Sequence, residues 1–246
     1  MTEPLHLLDL RVDPRALLRF GQAAHLEPPT LHTDGTYRLH AWLRALLGDT
    51  APPVWAVVPD PSGSVRVLAY SWSDAAALMT QVVQADRVAQ AALLVPVRSR
   101  PLPTWTPGQT VNFDLTTIPT VRRSGNHRER DPYLTEGSPD PTRTREMVYT
   151  AWLAQRLARI SALEVSRLHL QHYTLVRAWR RTQHTSTHRD RIGQVVTHPA
   201  ATFHGTLVIK DPVGMTALLA HGIGRHQAFG AGMLRLLPAS PIALAL

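Results

Sequence analysis

The chain has 246 residues, 44% hydrophobic and 18% charged, a make-up that folds and has room for one large domain or two small ones. No apolar run approaches the ~18–20 residues that span a bilayer, and the opening MTEPLHLLDL lacks the basic region of a signal peptide, so a cytoplasmic setting with no membrane partner is expected. The absence of cysteine excludes disulfides, thiolate zinc sites and a cysteine nucleophile, while a formal net charge of +8, with Lys210 the only lysine among 26 basic residues, favours a polyanionic partner.

Taken in chain order, Leu5–Val12 reads as a strand. A connecting stretch with Pro14, Pro28 and Pro29 follows. Thr36–Leu47 reads as a helix, with Asp34 or Thr36 able to cap it and Gly48 ending it. Val54–Val58 and Val65–Tyr70 read as strands around the turn Pro59–Ser64, Asp74–Val83 as a short helix, and Ala91–Arg98 as a strand. The order β-α-β-β-α-β is that of a ferredoxin-like (RRM-like) unit. After the break at 101–108 the same order recurs: strand Thr110–Ile118, helix Arg145–Arg159, strands Leu168–Trp179 and Phe203–Ile209, helix Val213–His221 and strand Gly232–Leu237. The fold expected is therefore α+β, two tandem ferredoxin-like domains, 1–103 and 108–246. The polar stretch Arg122–Arg145 reads as an exposed loop. Arg177–Arg191 reads as a basic excursion between two strands, holding Arg177, Arg180 and Arg181 beside Trp179.

Three stretches carry a resemblance. The first is Tyr37, His40 and Trp42 in the first helix. The second is the strand Val111–Pro119, running into Arg122 and Arg123, with Ala151–Leu157 downstream. The third is the block His204–Asp211 followed by His221, Gly222, Gly224, Arg225, His226, Phe229, Gly230 and Gly232. A strand, a helix and a glycine-rich loop in that order near the C-terminus make the most specific of the three. Together, over roughly residues 36 to 238, the chain resembles the CasE family, the subtype I-E CRISPR RNA endonucleases. The resemblance implies a metal-independent endoribonuclease that cuts precursor CRISPR RNA at the repeat hairpin, keeps the crRNA and sits with other subunits in a Cascade-type complex. It also implies that His40 and Tyr37 are catalytic. Arg122, Arg123, Arg177, Arg180, Arg181, Gly222, Gly224, Arg225, His226, Gly230 and Gly232 are the expected RNA-binding residues.

The same residues can be read without the family. Tyr37 and His40 are three apart and share one helix face. RNA cleavage needs proton transfer at the 2′-hydroxyl and the leaving oxygen, and positive charge at the phosphate; an imidazole can move the proton and a phenol can hold a hydroxyl. A solvent-facing histidine on an amphipathic helix fits the same pair. The glycines are spaced G-x-G-x-x-x-x-x-G-x-G and follow a helix, so they are not the dinucleotide fingerprint, which lies between a strand and the next helix. They let backbone amides approach phosphates, and Gly222 equally suits a helix C-cap. The arginines at 177–191 suit a basic hairpin laid along an RNA stem, or a solvated charged loop. His184 and His188 have i, i+4 spacing but no strong carboxylate partner, so no metal and no other cofactor is expected. A hairpin-binding subunit of the same fold without catalysis is the alternative reading.

Overall fold

The structure, a computed structural model, describes residues 3–26, 35–122, 129–135, 142–181 and 193–237. The chain divides into two compact units. One comprises Met1–Leu102, Leu175–His198 and His226–Ala231; the other comprises Pro103–Thr174, Pro199–Arg225 and Gly232–Leu246. The cut between residues 102 and 103 falls where the prolines break the sequence. Two later segments, however, belong to the first unit and not to the half in which the sequence order sets them.

In the first unit, β1 (His6–Val12), β2 (Trp55–Val58), β3 (Val65–Ser71) and β4 (Arg98–Pro101) form a sheet of order β2-β3-β1-β4, with β3 and β4 antiparallel to β1. This is the ferredoxin-like order, with helix α2 (Thr36–Leu47) crossing between β1 and β2 and α3 (Ala75–Gln84) following β3. Alternation along β1 buries Leu8, Leu10 and Val12 on the face that meets the helices. Helix α2 answers with Leu39, Trp42, Leu43, Leu46 and Leu47, all at most 4% exposed and recurring at helical spacing. Burying each such side chain contributes about 1.5–3 kcal/mol, so this stripe fixes the rotation of α2. The Trp42 indole N–H donates to the Ala89 carbonyl at 2.9 Å and locks it further.

Two sequence expectations are corrected here. The stretch after β1 holds a helix, α1 (Pro14–Ala23). Asp13 caps it by accepting from the Arg15 and Ala16 amides, and Pro14 occupies the first position, where its missing N–H is no loss. The proline taken for a connection is thus a helix start. The strand expected at 91–98 begins only at Arg98. Asp86 caps the short helix α4 (Arg87–Gln90), Leu93 makes a single bridge to Val12, and Pro96, which has no amide to donate, separates that bridge from β4.

A second sheet repeats the order. Strands β5 (Thr110–Thr117), β6 (Leu163–Arg181), β7 (Gly193–Ile209) and β8 (Leu234–Leu237) lie in the order β6-β7-β5-β8, with residues 175–198 at the far ends of β6 and β7 counted in the first unit. Helix α5 (Arg145–Leu157) follows β5 and α6 (Pro212–His221) follows β7. Phe113, Leu115, Phe203 and Leu207 are buried, and Val148, Tyr149, Trp152, Leu153 and Leu157 of α5 join the core. On the other face of β5, Asp114 accepts from Arg235 at 2.9 Å and lies 2.8 Å from His204 Nδ1. Strand β6 ends at Arg181 rather than Trp179 and β7 begins at Gly193 rather than Phe203, so Arg177, Arg180 and Arg181 all lie on β6; the rest of the expected basic excursion lies outside the described residues. None of the helices among the described residues is long and apolar enough to cross a membrane.

Candidate active site

Tyr37 is the second residue of α2 and His40 the fifth, on the flank left free by the Leu39–Trp42–Leu46 stripe. Both are half-buried, and their ring centroids are 6.5 Å apart at 40°. One turn beyond His40 lies Arg44, exposed and paired with Asp49 at 3.2 Å. His40 titrates below the ordinary histidine value, first because burial disfavours the imidazolium and second because the Arg44 charge repels it. The pair therefore presents a neutral imidazole beside a phenol at neutral pH. The sequence pairing of Tyr37 with His40 marked the position; the influence of Arg44 is legible only from the i, i+4 spacing on one face, and the sequence reading passed it over.

At the start of α2, Gly35 occupies the cap position and has no side chain to cap with, and Thr36 is the first helical residue; Asp34, the other candidate cap, lies outside the described residues. The first turn is instead covered by a short 3-10 turn, Gln227–Phe229, which packs on α2. The Phe229 ring lies 6.5 Å from Tyr37, and His226 stacks on Phe229 at 6.0 Å and 29°. His198 of β7 meets His226 at 4.5 Å. Five rings thus run in series within the first unit: His40, Tyr37, Phe229, His226 and His198. Only His40, Tyr37 and His226 of these were expected site residues.

The other expected residues of the glycine block play visible backbone roles. Gly222 ends α6 at φ 71°, as a cap. Gly230, at φ 70°, abuts Trp55: a Cβ there would lie 2.8 Å from the buried indole ring. Gly224 and Gly232 also have positive φ, and the Gly232 amide donates to the Thr116 carbonyl at 2.8 Å.

In the second unit, Arg122 and Arg225 converge on one carboxylate. Arg122 Nη2 lies 3.1 Å and Arg225 Nε 2.9 Å from Glu129 Oε1. Arg156 of α5 joins them: its guanidinium lies over the Trp152 ring at 4.4 Å and donates to the Thr120 carbonyl at 3.3 Å. Its pKa is held down by burial and then by the charges of Arg159 and Arg225. Several guanidinium groups around one carboxylate leave a net positive patch. Arg156 and Arg159 were missed in the sequence because they read as the polar side of an amphipathic helix. Arg177 is exposed on β6. Arg123, His184, His188 and the side chains of Arg180 and Arg181 lie outside the described residues. Among the described residues, no three His, Asp or Glu side chains cluster in a metal-binding arrangement.

The likeness to known proteins runs the length of the chain. A family model described as "CRISPR associated protein" matches residues 5–238. Among solved structures, the chain is similar to Thermus thermophilus Cse3 bound to an RNA representing a pre-cleavage complex, at 19% identity and a TM-score of 0.63, covering 96% of this chain and 100% of that one. It is similar to the CRISPR-associated protein Cas6e from Escherichia coli K-12, at 19% identity and a TM-score of 0.51, covering 95% of this chain and 100% of that one. A chain of a CRISPR RNA-guided surveillance complex is 18% identical with a TM-score of 0.56, covering 94% of this chain and 98% of that one. No curated protein matches in sequence. At such identities the structural likeness is one of fold.

Proposed function

The chain belongs to the family of CRISPR-associated proteins, and from that premise we propose that it is a CasE-type endoribonuclease that cuts precursor CRISPR RNA at the repeat hairpin. Two further findings support the reading: similar folds are described as a CRISPR endoribonuclease bound to RNA and as part of an RNA-guided surveillance complex. The observation that carries it is the Tyr37–His40 pair, half-buried on one flank of α2 with an imidazole kept neutral by its surroundings. The product stays bound, and the protein acts in the cytoplasm with the other subunits of a Cascade-type complex.

The chemistry follows from the charge state. A neutral His40 accepts the proton of the 2′-hydroxyl 5′ to the cut. The Tyr37 phenol donates a hydrogen bond that holds that hydroxyl or a phosphate oxygen. The 2′-oxygen attacks phosphorus, the P–O5′ bond breaks, and a 2′,3′-cyclic phosphate and a 5′-hydroxyl form; the leaving 5′-oxygen takes its proton from water, and the His40 imidazolium returns the 2′-hydroxyl proton to solvent. The RNA supplies a nucleophile already tethered beside the phosphorus, an advantage free water lacks. Arginine charge stabilises the phosphorane-like transition state. Metal independence is part of this proposal, because internal attack needs no metal-made hydroxide. Arg122, Arg123, Arg156, Arg177, Arg180, Arg181 and Arg225 hold the RNA through its phosphates, and the amides of the loop from Gly222 to Gly232 approach the same backbone. The test is His40→Ala. Loss of a general base lowers rates on the order of 10²–10⁴-fold, with hairpin affinity nearly intact. Single-turnover cleavage beside a binding titration measures both, and a wild-type rate removes His40 from the reaction. A wild-type protein that binds its repeat hairpin without cutting it is a binding subunit instead.

A further inference from the structure

Tyr37 and His40 lie in the first two turns of a helix whose cap position is Gly35, a residue with no side chain to offer. The first four amides of a helix have no partner within it, and a helix end frays unless something holds it. A catalytic pair on such an end needs a support from outside the helix. Among the described residues, the turn Gln227–Phe229 supplies such a support. Its Phe229 ring faces Tyr37 at 6.5 Å and 40°, the same separation and tilt that Tyr37 keeps to His40.

The turn is itself held on three sides. His226 adopts φ 65°, a left-handed conformation that costs a residue with a Cβ about 1–2 kcal/mol, and such strain persists only where surrounding packing fixes it. That packing is the stack of His226 on Phe229 and its contact with His198 at 4.5 Å. At the other end Gly230 sits against Trp55, which has no exposed surface and belongs to the core that α2 helps build. The support and the helix therefore share one core.

We propose that Phe229, buttressed by His226 and His198, is a positioning residue that sets the Tyr37 ring and through it the Tyr37–His40 geometry. The proposal rests on the reading of His40 and Tyr37 as the catalytic pair. It gives His226 a role in holding Phe229, where the sequence suggested only an RNA contact. Misplacing a reacting group by about 1 Å costs on the order of 100-fold in rate.

The test uses the full-length protein and its repeat hairpin under single-turnover conditions. Phe229→Leu keeps an apolar side chain of similar reach but removes the ring, and Phe229→Tyr restores the ring. The expected result for Phe229→Leu is a loss on the order of 10–100-fold in maximal cleavage rate, a hairpin Kd little changed, and recovery with Phe229→Tyr. In a Tyr37→Ala background, Phe229→Leu then causes no further loss, because its effect runs through Tyr37. A wild-type rate for Phe229→Leu overturns the proposal. So does a loss confined to Kd, or a full additional loss in the Tyr37→Ala background. If Phe229→Leu fails to fold, His226→Ala in the same assays decides, with the same rate loss at unchanged Kd expected and a wild-type rate overturning. His40→Ala run in parallel separates the two readings: if it cleaves normally the catalytic assignment has failed, whereas if it is dead and Phe229→Leu is normal only the positioning role has failed.

Discussion

Gly230→Ala tests the packing of the turn on the first unit's core in one atom. The new Cβ would lie 2.8, 3.1 and 3.2 Å from Cζ3, Cη2 and Cε3 of Trp55, where ordinary contact begins near 3.4 Å. Trp55 is 0% exposed, so the indole has no solvent to move into. Alanine at φ 70° adds a left-handed penalty of about 1–2 kcal/mol, and overpacking a tight site costs typically 1–3 kcal/mol. A turn that stays docked therefore loses roughly 2–5 kcal/mol of stability. A turn that undocks caps that loss but carries Phe229 away from Tyr37. Thermal melting and single-turnover cleavage of the same variant read both routes. The expected outcome is a lowered melting temperature, a cleavage rate depressed by about tenfold or more, or both. Wild-type melting together with wild-type cleavage would refute the packing argument.

Other predictions follow from the charges. With His40 acting as base below its ordinary pKa, the cleavage rate climbs roughly tenfold per pH unit in acid, with its half-maximal point below pH ~6.5, the unperturbed histidine value. Arg44→Gln removes the repulsion that helps hold the imidazole neutral, so the acid limb moves to higher pH; an unmoved limb, or an unmoved His40 resonance in an NMR titration, contradicts this. Alanine at Arg177, Arg180 and Arg181 weakens hairpin binding and flattens its salt dependence, by roughly 0.7–0.9 in slope for each phosphate no longer neutralised, and an unchanged slope shows that β6 does not grip phosphate. Glu129→Gln frees Arg122 and Arg225 from their shared carboxylate, so binding strengthens at low salt; filter binding that shows no change or a weakening removes that patch from the interface.

The two ferredoxin-like units were legible because their strands alternate and their helices carry 3.6-residue stripes, as Leu39, Trp42 and Leu46 do. Helix α1 was not, because a proline reads equally as a start or a break until Asp13 is seen capping the amides behind it. The Tyr37–His40 pair proposed as catalytic was visible as i, i+3 spacing. Its neighbour Phe229 lies 192 positions from Tyr37 in sequence, and no local pattern connects them. Glycine spacing announced a loop, but the reason for Gly230 is an indole at Trp55 that only the tertiary structure brings to it. Arg156 was hidden for a different reason. Its guanidinium is on the polar side of α5, and its tie to the patch depends on the Thr120 carbonyl and on Arg225.

Internal attack by the RNA, with His40 as the proton acceptor, makes two demands on the reaction: a ribose 5′ to the cut and no metal. The most direct measurement is single-turnover cleavage of the repeat hairpin in EDTA, using an all-ribose strand and one with a single 2′-deoxy sugar 5′ to the cut. The ribose hairpin is expected to be cut at full rate in EDTA to a 2′,3′-cyclic phosphate end, while the deoxy hairpin binds and stays whole. Equal cutting of the deoxy strand, or activity that EDTA abolishes and Mg²⁺ or Mn²⁺ restores, would contradict internal attack.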